Sequence, residues 1–403
     1  MSWRRGGAQP RDGHSAGAEP GVAEPVRPLL VVDELAINGA VSITIDLARR
    51  WAGRGTRLAV LHTTPGQPVS SPPEGVVLEH LTTGPARIRR ALVVGFPRLV
   101  AVSVRCDVVV AGSEIGPALV MAFLAARMTR RPFVVAVHAD VHQALEEWIP
   151  RRLHRLFLYV HRHVDGAICV APGLVDAVVR NGLPVDRVRV VRNGIDTAAV
   201  RRAAAAGGNL AGGPLPTVVA TGRLAPQKGY DLLIRAHASI VAEVPHRVLI
   251  LNDGPDLAAL QALAEELSVT GSVVFGGAVK GPLPTVAAAD VFCLPSRHEG
   301  LPLALLEAIV LGVPVIAADC SEGVRAVLDD GRVGELVPVE DVDALAKALC
   351  SHLRDGSPLR LCAALGPAHA RAFDSEAMAS GWSAALDELA SSARTRRGRQ
   401  RRR

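Results

Sequence analysis

Short runs of Val, Ile, Leu and Ala recur along the chain, bounded by turn residues and separated by longer Ala- and Leu-rich stretches. In the first half these runs are "PLLVVDE" (28–34), "RLAVLHT" (57–63), "DVVVAGS" (107–113), "FVVAVHA" (133–139) and "GAICVAP" (166–172). They are nearly continuous in apolar residues, as strands of a parallel sheet covered on both faces are. Between the first two, "AVSITIDLARRWAGRG" (40–55) reads as a helix closing at glycine. A second set follows: "TVVATG" (217–222), "HRVLILNDG" (246–254), "SVVFGGA" (272–278), "DVFCLPS" (290–296) and "VPVIAAD" (313–319). The Gly-, Ala- and Pro-rich stretch "TAAVRRAAAAGGNLAGGPLP" (197–216) between the sets reads as a linker or surface excursion. The pattern predicts an α/β chain with two doubly wound parallel sheets facing a cleft. Ligands of such sheets sit beyond the carboxyl ends of the strands, so both domains can face one site. The expected divisions are a disordered leader (1–25), an N-terminal domain (26–196) and a C-terminal domain (197–375). A helix over 376–392 is expected to pack back on the N-terminal domain, ahead of a basic disordered tail (393–403).

A length of 403 residues fits two such domains. With 49% hydrophobic and 21% charged residues, wholesale disorder is excluded. Aromatics make up only 3%, which leaves the core to Ala, Val and Leu. The net charge of +6 suggests an anionic partner until it is located. Seven arginines (394, 396, 397, 399, 401, 402 and 403) lie in the tail, and the rest of the chain is close to neutral. The body is therefore not a basic protein, and no interleaved aromatics support a nucleic-acid partner. The tail alone is where a weak contact with an anionic membrane is expected if there is one, and a solvated, disordered end is the favoured reading of it. Six cysteines (106, 169, 293, 320, 350 and 362) occur without any C-x-x-C, which argues for reduced thiols rather than a disulfide framework or zinc site. No apolar run reaches the ~20 residues needed to span a bilayer, and residues 1–25 lack the apolar core of a signal peptide. A cytoplasmic location is expected, with peripheral contact at the inner membrane face through the tail.

The chemistry concentrates in "SRHEGLPLALLEAIVLGVPVIA" (296–317), an apolar segment that keeps two carboxylates, Glu299 and Glu307. Pro302 suits a first helical position and Gly312 a position just past the helix end. Glu299 is thereby placed in the loop entering a helix and Glu307 within it. Glu307 is flanked by Leu305, Leu306, Ala308 and Ile309, where an unpaired carboxylate is costly. A carboxylate accepts two hydroxyl donors at once, such as those of a ribose. The free N–H groups around Gly300 and Leu301 favour phosphate. A helix acid turned to solvent plus a capping acid explains the same spacing. A second stretch, "TGRLAPQKGYDLL" (221–233), sets Arg223 after a strand and Lys228 before a helix, which suits a diphosphate. An ordinary basic surface loop is the alternative there.

Together these stretches resemble the retaining glycosyltransferases of GT-B fold that carry an E-x7-E signature, the group 1 or family 4 type. The resemblance runs from about residue 28 to 390, through "NGA", "VHAD", "VRNGID" (191–196), "TGRLAPQKG", "LNDGPDLAAL" (251–260) and "HEGLPLALLEA". It implies two Rossmann-like domains, the first on the acceptor side and the second binding a nucleotide sugar. It implies further that Arg223 and Lys228 neutralise the leaving nucleoside diphosphate and that Glu307 holds the ribose. Glu299, with the amides of Gly300 and Leu301, would hold the sugar and phosphate. Gly39 and Gly222 would let the backbone approach the donor, and His138 would touch the donor sugar from the N-terminal domain. The resemblance also implies retention, with the leaving diphosphate helping to remove the acceptor proton, so Asp140 is read as a positioning residue rather than a base. The first loop departs from the family's G-G-A-E, reading Asn38-Gly39-Ala40-Val41, and Asn252 stands where glycine is common.

The remaining signals carry less. His138, His142, His154, His161 and His163 cluster in sequence, but no H-E-x-x-H or cysteine pair completes a zinc set. The D-x-D in "EDVDAL" (340–345) lies where acids begin a helix. With Arg223 and Lys228 supplying positive charge, no metal and no other cofactor is expected. Neither a G-x-G-x-x-G after a strand nor a P-loop motif is present, which disfavours dehydrogenases and P-loop enzymes. The expected activity is transfer of a sugar from a UDP- or GDP-sugar to an acceptor hydroxyl. Rival readings are a nucleotide-sugar epimerase of similar fold and a binding protein without turnover. For the acceptor, Glu146, Glu147 and Trp148 suit a cationic aminosugar, whereas Arg151, Arg152, His154 and Arg155 suit a lipid phosphate. A small soluble, aminoglycoside-like acceptor is slightly favoured over a lipid-linked envelope glycan.

Overall fold

The computed structural model describes residues 25–35, 39–62, 74–82, 91–279, 281–355 and 358–401. Most of the leader expected over 1–25, Asn38 of the first loop and the last two arginines lie outside the described residues.

The N-terminal sheet contains β1 (Pro28–Val32), β2 (Arg57–Val60), β3 (Val77–His80), β4 (Val108–Ala111), β5 (Phe133–Val137), β6 (Gly166–Cys169) and β7 (Val188–Val190). These seven parallel strands lie in the order β3-β2-β1-β4-β5-β6-β7. The C-terminal sheet contains β8 (Thr217–Thr221), β9 (Arg247–Leu251), β10 (Val273–Gly277), β11 (Val291–Leu294), β12 (Val315–Ala318) and β13 (Glu335–Val337). Its six strands follow β10-β9-β8-β11-β12-β13, again all parallel. Both orders reverse beside the first strand of the sheet, between β1 and β4 and between β8 and β11. That reversal opens a crevice at the carboxyl ends. The central strands are apolar throughout because helices cover both faces; all five residues of β1, β5 and β8 are buried.

The strands missing from the sequence reading, β3, β7 and β13, are all at sheet edges. The stretch expected as a linker is partly helical. Asp196 accepts the Ala199 N–H at 2.8 Å and caps a helix over Thr197–Ala205, which packs against the helices Leu283–Ala287 and Leu303–Val310. Alanine favours the helix once the cap is in place, and it ends before the Gly207-Gly208 pair.

The last helix, Ser375–Arg401, returns to the N-terminal domain. Met378, Trp382, Leu386 and Leu389 recur at helical spacing and are buried with Leu30, Ile43, Leu47, Val110 and Ile168. The expectation of a disordered end from 393 is corrected here, since the helix continues to Arg401. Arg396 donates to the Asp165 carbonyl at 3.0 Å and Arg397 to the Asp165 carboxylate at 2.6 Å, which fastens the last turns to the sheet. Cations in a final turn also suit the helix dipole. All six cysteines are free. Among the described residues no helix is long and apolar enough to cross a membrane.

Candidate functional site

The C-terminal crevice is built by two loops that interlock through glycines. Gly222, after β8, has φ 154°, and a Cβ there would stand 2.8 Å from the Tyr230 hydroxyl oxygen. Gly229 (φ 63°) leaves no room for a side chain, because a Cβ would lie 2.1 Å from the Pro295 carbonyl oxygen. The loop after β8 is thereby pressed against the loop after β11. Lys228 Nζ consequently donates to Glu299 Oε1 at 2.6 Å, and Ser296 Oγ donates to the same oxygen at 2.7 Å. The side chains of Lys228 and Glu299 are only 19% and 7% exposed, so this is a largely buried, hydrogen-bonded ion pair. Beside it, Arg297 grips Asp231 with two bonds of 2.8 Å and fixes the same pair of loops.

Pro302 stands in extended conformation just before the helix Leu303–Val310, one place ahead of the first helical position expected for it, and Gly312 follows the helix at φ 69°. Glu307 lies on this helix between buried Leu306 and Ala308. No hydrogen bond reaches its carboxylate from any described residue, and burial pushes its pKa up to about 7. The apolar helix therefore holds a half-buried acid whose carboxylate has no hydrogen-bond partner among the described residues.

Gly300 and Leu301 sit in the seam between the domains. A Cβ on Gly300 would come within 2.0 Å of the His138 carbonyl oxygen, and one on Gly323 within 1.7 Å of the Gly300 carbonyl oxygen. Leu301 is buried, and its carbonyl accepts from Asn193 Nδ2 at 3.5 Å. His138 follows β5, and its N–H donates to Glu114 Oε2 at 3.0 Å. The His138 Nε2 is buried with no partner among the described residues. Burial depresses the imidazole to about 4, so it is neutral near pH 7. Gly39 begins the helix Gly39–Arg50 and faces Leu303 across the cleft, where a Cβ would make an ordinary contact at 3.9 Å. Arg223 also crosses the cleft. Its guanidinium lies 4.3 Å from the centroid of the Trp148 ring. It lines a cavity of about 220 Å³ at the ends of β1 and β4, together with Asp33, Glu34, Ser113 and Gly116. Glu147 and His298 meet across the same cleft at 3.4 Å.

The demoted candidates have structural partners. Asp140 caps the helix Val141–Trp148 by accepting the His142 N–H at 2.8 Å. Asp341 of the D-x-D accepts the Ala344 N–H at 2.8 Å. His154, His161 and His163 each bond a backbone carbonyl at 2.7 Å.

Two family models match, one described as Glycosyltransferase Family 4 over residues 37–199 and one as Glycosyl transferases group 1 over residues 215–355. Between them they take in both domains. This chain belongs to the GT-B glycosyltransferases of these families. Within that family it is 40% identical over 166 residues to a GDP-mannose-dependent alpha-(1-6)-phosphatidylinositol monomannoside mannosyltransferase of Mycolicibacterium smegmatis, covering 39% of this chain and 42% of that protein. It is 35% identical over 230 residues to a D-inositol 3-phosphate glycosyltransferase of Nocardia farcinica, covering 52% of this chain and 50% of that one. The chain thus matches about half the length of these curated relatives. Among solved structures, Anabaena HepE in complex with UDP-glucose superposes with a TM-score of 0.72 at 19% identity, covering 90% of this chain and 100% of that chain. At that identity the likeness shows the fold alone.

The sequence reading of this GT-B family chain missed two acids of the N-terminal crevice. Asp33 closes β1, accepts the Ala118 N–H at 2.7 Å and is pushed up to about 7 by burial. Glu114 follows β4, is buried, and is likewise raised to about 7. The available signal was positional: each is an acid just beyond a strand at the point where the sheet order reverses.

Proposed function

We propose that the chain is a retaining glycosyltransferase that moves a sugar from a nucleotide-diphosphate sugar to an acceptor hydroxyl without a metal ion. The observation that carries this reading is the Lys228–Glu299–Ser296 cluster in the loops after β8 and β11, followed on the next helix by Glu307, which has no hydrogen-bond partner among the described residues. In this reading Glu307 accepts both ribose hydroxyls, which fill the vacant acceptor sites on an otherwise apolar helix. Lys228 and Arg223 neutralise the departing diphosphate, and Glu299 orients Lys228 and the donor sugar. Gly222, Gly300 and Leu301 bring backbone close to the donor, as Gly39 does from the opposite domain. His138, held neutral with its Nε2 buried in the N-terminal domain, borders the donor sugar through the loop after β5 rather than through that nitrogen. The acceptor attacks from the face the diphosphate leaves, and a diphosphate oxygen takes its proton.

The curated relatives are named for phosphatidylinositol mannoside and inositol phosphate acceptors, and another, from Rhizobium meliloti, for lipopolysaccharide core biosynthesis. These names support a cell-envelope or inositol-type acceptor over the aminoglycoside-like one. For the donor, a GDP-mannose relative and structural neighbours holding UDP keep both bases in play. The test is a panel of UDP- and GDP-sugars, scored for nucleoside diphosphate release with and without inositol phosphates and lipid-linked glycans. Transfer with an unchanged anomeric configuration supports the proposal. Interconversion of donors without an acceptor identifies an epimerase, and binding without release a non-catalytic protein.

A further inference from the structure

The helix Arg151–Arg162, "RRLHRLFLYVHR", rests on the N-terminal domain through Phe157, Val160 and His161. Its other side is open to solvent and has an unusual make-up. Leu153, Leu156 and Tyr159 are 38%, 43% and 55% exposed, interleaved with exposed Arg151, Arg152 and Arg155. No acidic residue occurs between Glu147 and Asp165, and none of these three arginines forms an ion pair with a described residue. The helix Pro117–Thr129 packs alongside and exposes Leu124 and Met128. Arg127, on that helix, donates to the His163 carbonyl. A solvated face would place polar groups between its arginines, and a protein-facing patch would include acids to pair them. Unpaired arginines framing exposed aliphatic and tyrosyl groups match an interface where apolar tips enter the acyl boundary while guanidinium groups meet phosphate.

We propose that this face docks the protein on an anionic lipid bilayer, with Leu153, Leu156 and Tyr159 inserted and Arg151, Arg152 and Arg155 at the phosphate level. The assignment differs from a contact through the C-terminal arginines, two of which are engaged by Asp165. It also does not depend on the transfer reaction. The helix starts three residues after Trp148, which faces Arg223 in the cleft, so the docked surface adjoins the cleft.

The test is co-sedimentation of the full chain with vesicles of equal parts phosphatidylglycerol and phosphatidylcholine, or of phosphatidylcholine alone. Binding is expected only to the anionic vesicles and is expected to weaken with salt. Each arginine near an anionic surface contributes about fivefold, so the triple variant Arg151→Gln/Arg152→Gln/Arg155→Gln should bind about a hundredfold more weakly. Leu156→Ser/Tyr159→Ser should weaken binding at least ~10-fold while keeping the salt dependence. Equal binding to both vesicle types overturns the proposal, as does wild-type affinity in the triple variant. Binding lost only on deleting residues 394–403 assigns the contact to the tail instead. A dimer by light scattering that Leu156→Ser/Tyr159→Ser dissociates, without vesicle binding, makes the face an interface between copies. Should the substituted chains fail to fold, the vesicle and salt comparison on the unmodified chain still decides whether an anionic bilayer is bound.

Discussion

Replacing Glu307 by Gln should stabilise the unliganded protein and cripple its binding of nucleotide. Its carboxylate is pushed by burial from 4.5 to about 7, and no described residue bonds it. The folded state therefore holds this proton more tightly than the unfolded chain does. The stability from protonated Glu307 is fully present below about pH 4.5 and is lost as pH rises through about 7. At ~1.4 kcal/mol per pKa unit the ceiling on that loss is about 3 kcal/mol. Glu307→Gln keeps the shape without the charge. In denaturant titrations the variant should match wild type near pH 5 and exceed it by up to about 3 kcal/mol at pH 8. Nucleotide affinity should move the opposite way. A hydrogen bond to a charged group contributes about 1.5–3 kcal/mol, so calorimetry should show nucleoside diphosphate binding weakened about ten- to a hundredfold. A 2′-deoxy nucleotide should be penalised in wild type and far less in the variant. The ionised form is the one that accepts both hydroxyls, so wild-type affinity should also rise with pH up to about 7, more steeply than in the variant. An equal deoxy penalty in the two proteins would refute the ribose assignment. Equal stability at pH 8 would refute the unpartnered acid.

Lys228→Ala and Arg223→Ala should each lower turnover by at least ~100-fold with circular dichroism unchanged; near-wild-type turnover would remove either residue from the mechanism. Lys228→Ala should also cost about 3 kcal/mol by leaving Glu299 unpaired, and adding Glu299→Gln should restore stability but not activity. Turnover should persist in excess EDTA, and loss that Mg²⁺ reverses would replace Arg223 and Lys228 with a metal as the diphosphate's partner. Gly300→Ala should push the His138 carbonyl away and part the domains, read as a larger radius of gyration in X-ray scattering and at least ~10-fold lower turnover; an unchanged radius would mean the seam yields locally. Nucleotide binding should change the emission of Trp148, isolated against a Trp148→Phe control, as Arg223 leaves its ring; identical titrations in the two proteins would show that Arg223 stays.

The legible part of the fold was the part buried on both faces. β1, β4, β5, β8 and β11 announce themselves because nothing polar interrupts them. The edge strands do not. β7 is three residues long with only Val188 buried, and β3 ends on exposed residues, Val77 and His80. Such segments become strands only when a neighbour supplies hydrogen bonds. The Arg-rich end misled for a related reason: its charge pattern reads as solvated until Asp165 is brought beneath Arg396 and Arg397 by tertiary packing. In the site, the spacing of Arg223, Lys228, Glu299 and Glu307 was readable from their loops and helix. The crowding of Gly300 against His138 was not, since those residues are 162 positions apart and meet only when the domains do. Asp33 and Glu114 were silent because a lone acid after a strand is common, and its burial depends on the helix packed over it.

The two cations of the cleft are held with different strength, and this shapes what a diphosphate can displace. Lys228 sits in a largely buried pair with Glu299 at 2.6 Å. An ammonium has three donors, so it can keep that bond and offer two more to phosphate oxygens. Its role requires addition of the ligand, not exchange. Among the described residues Arg223 is held only by the face of Trp148, a contact that contributes about 0.5–1 kcal/mol where water has access. A forked, charge-assisted bond to phosphate is stronger than that, so an arriving diphosphate should take Arg223 and bare the ring. Trp148 belongs to the N-terminal domain, and its helix is followed by the basic, apolar face of Arg151–Arg162. Donor binding in one domain would then uncover an aromatic surface in the other, on the side proposed for the acceptor. If the proposed function holds, the donor binds first, because without it Arg223 lies across the cleft on Trp148 of the N-terminal domain.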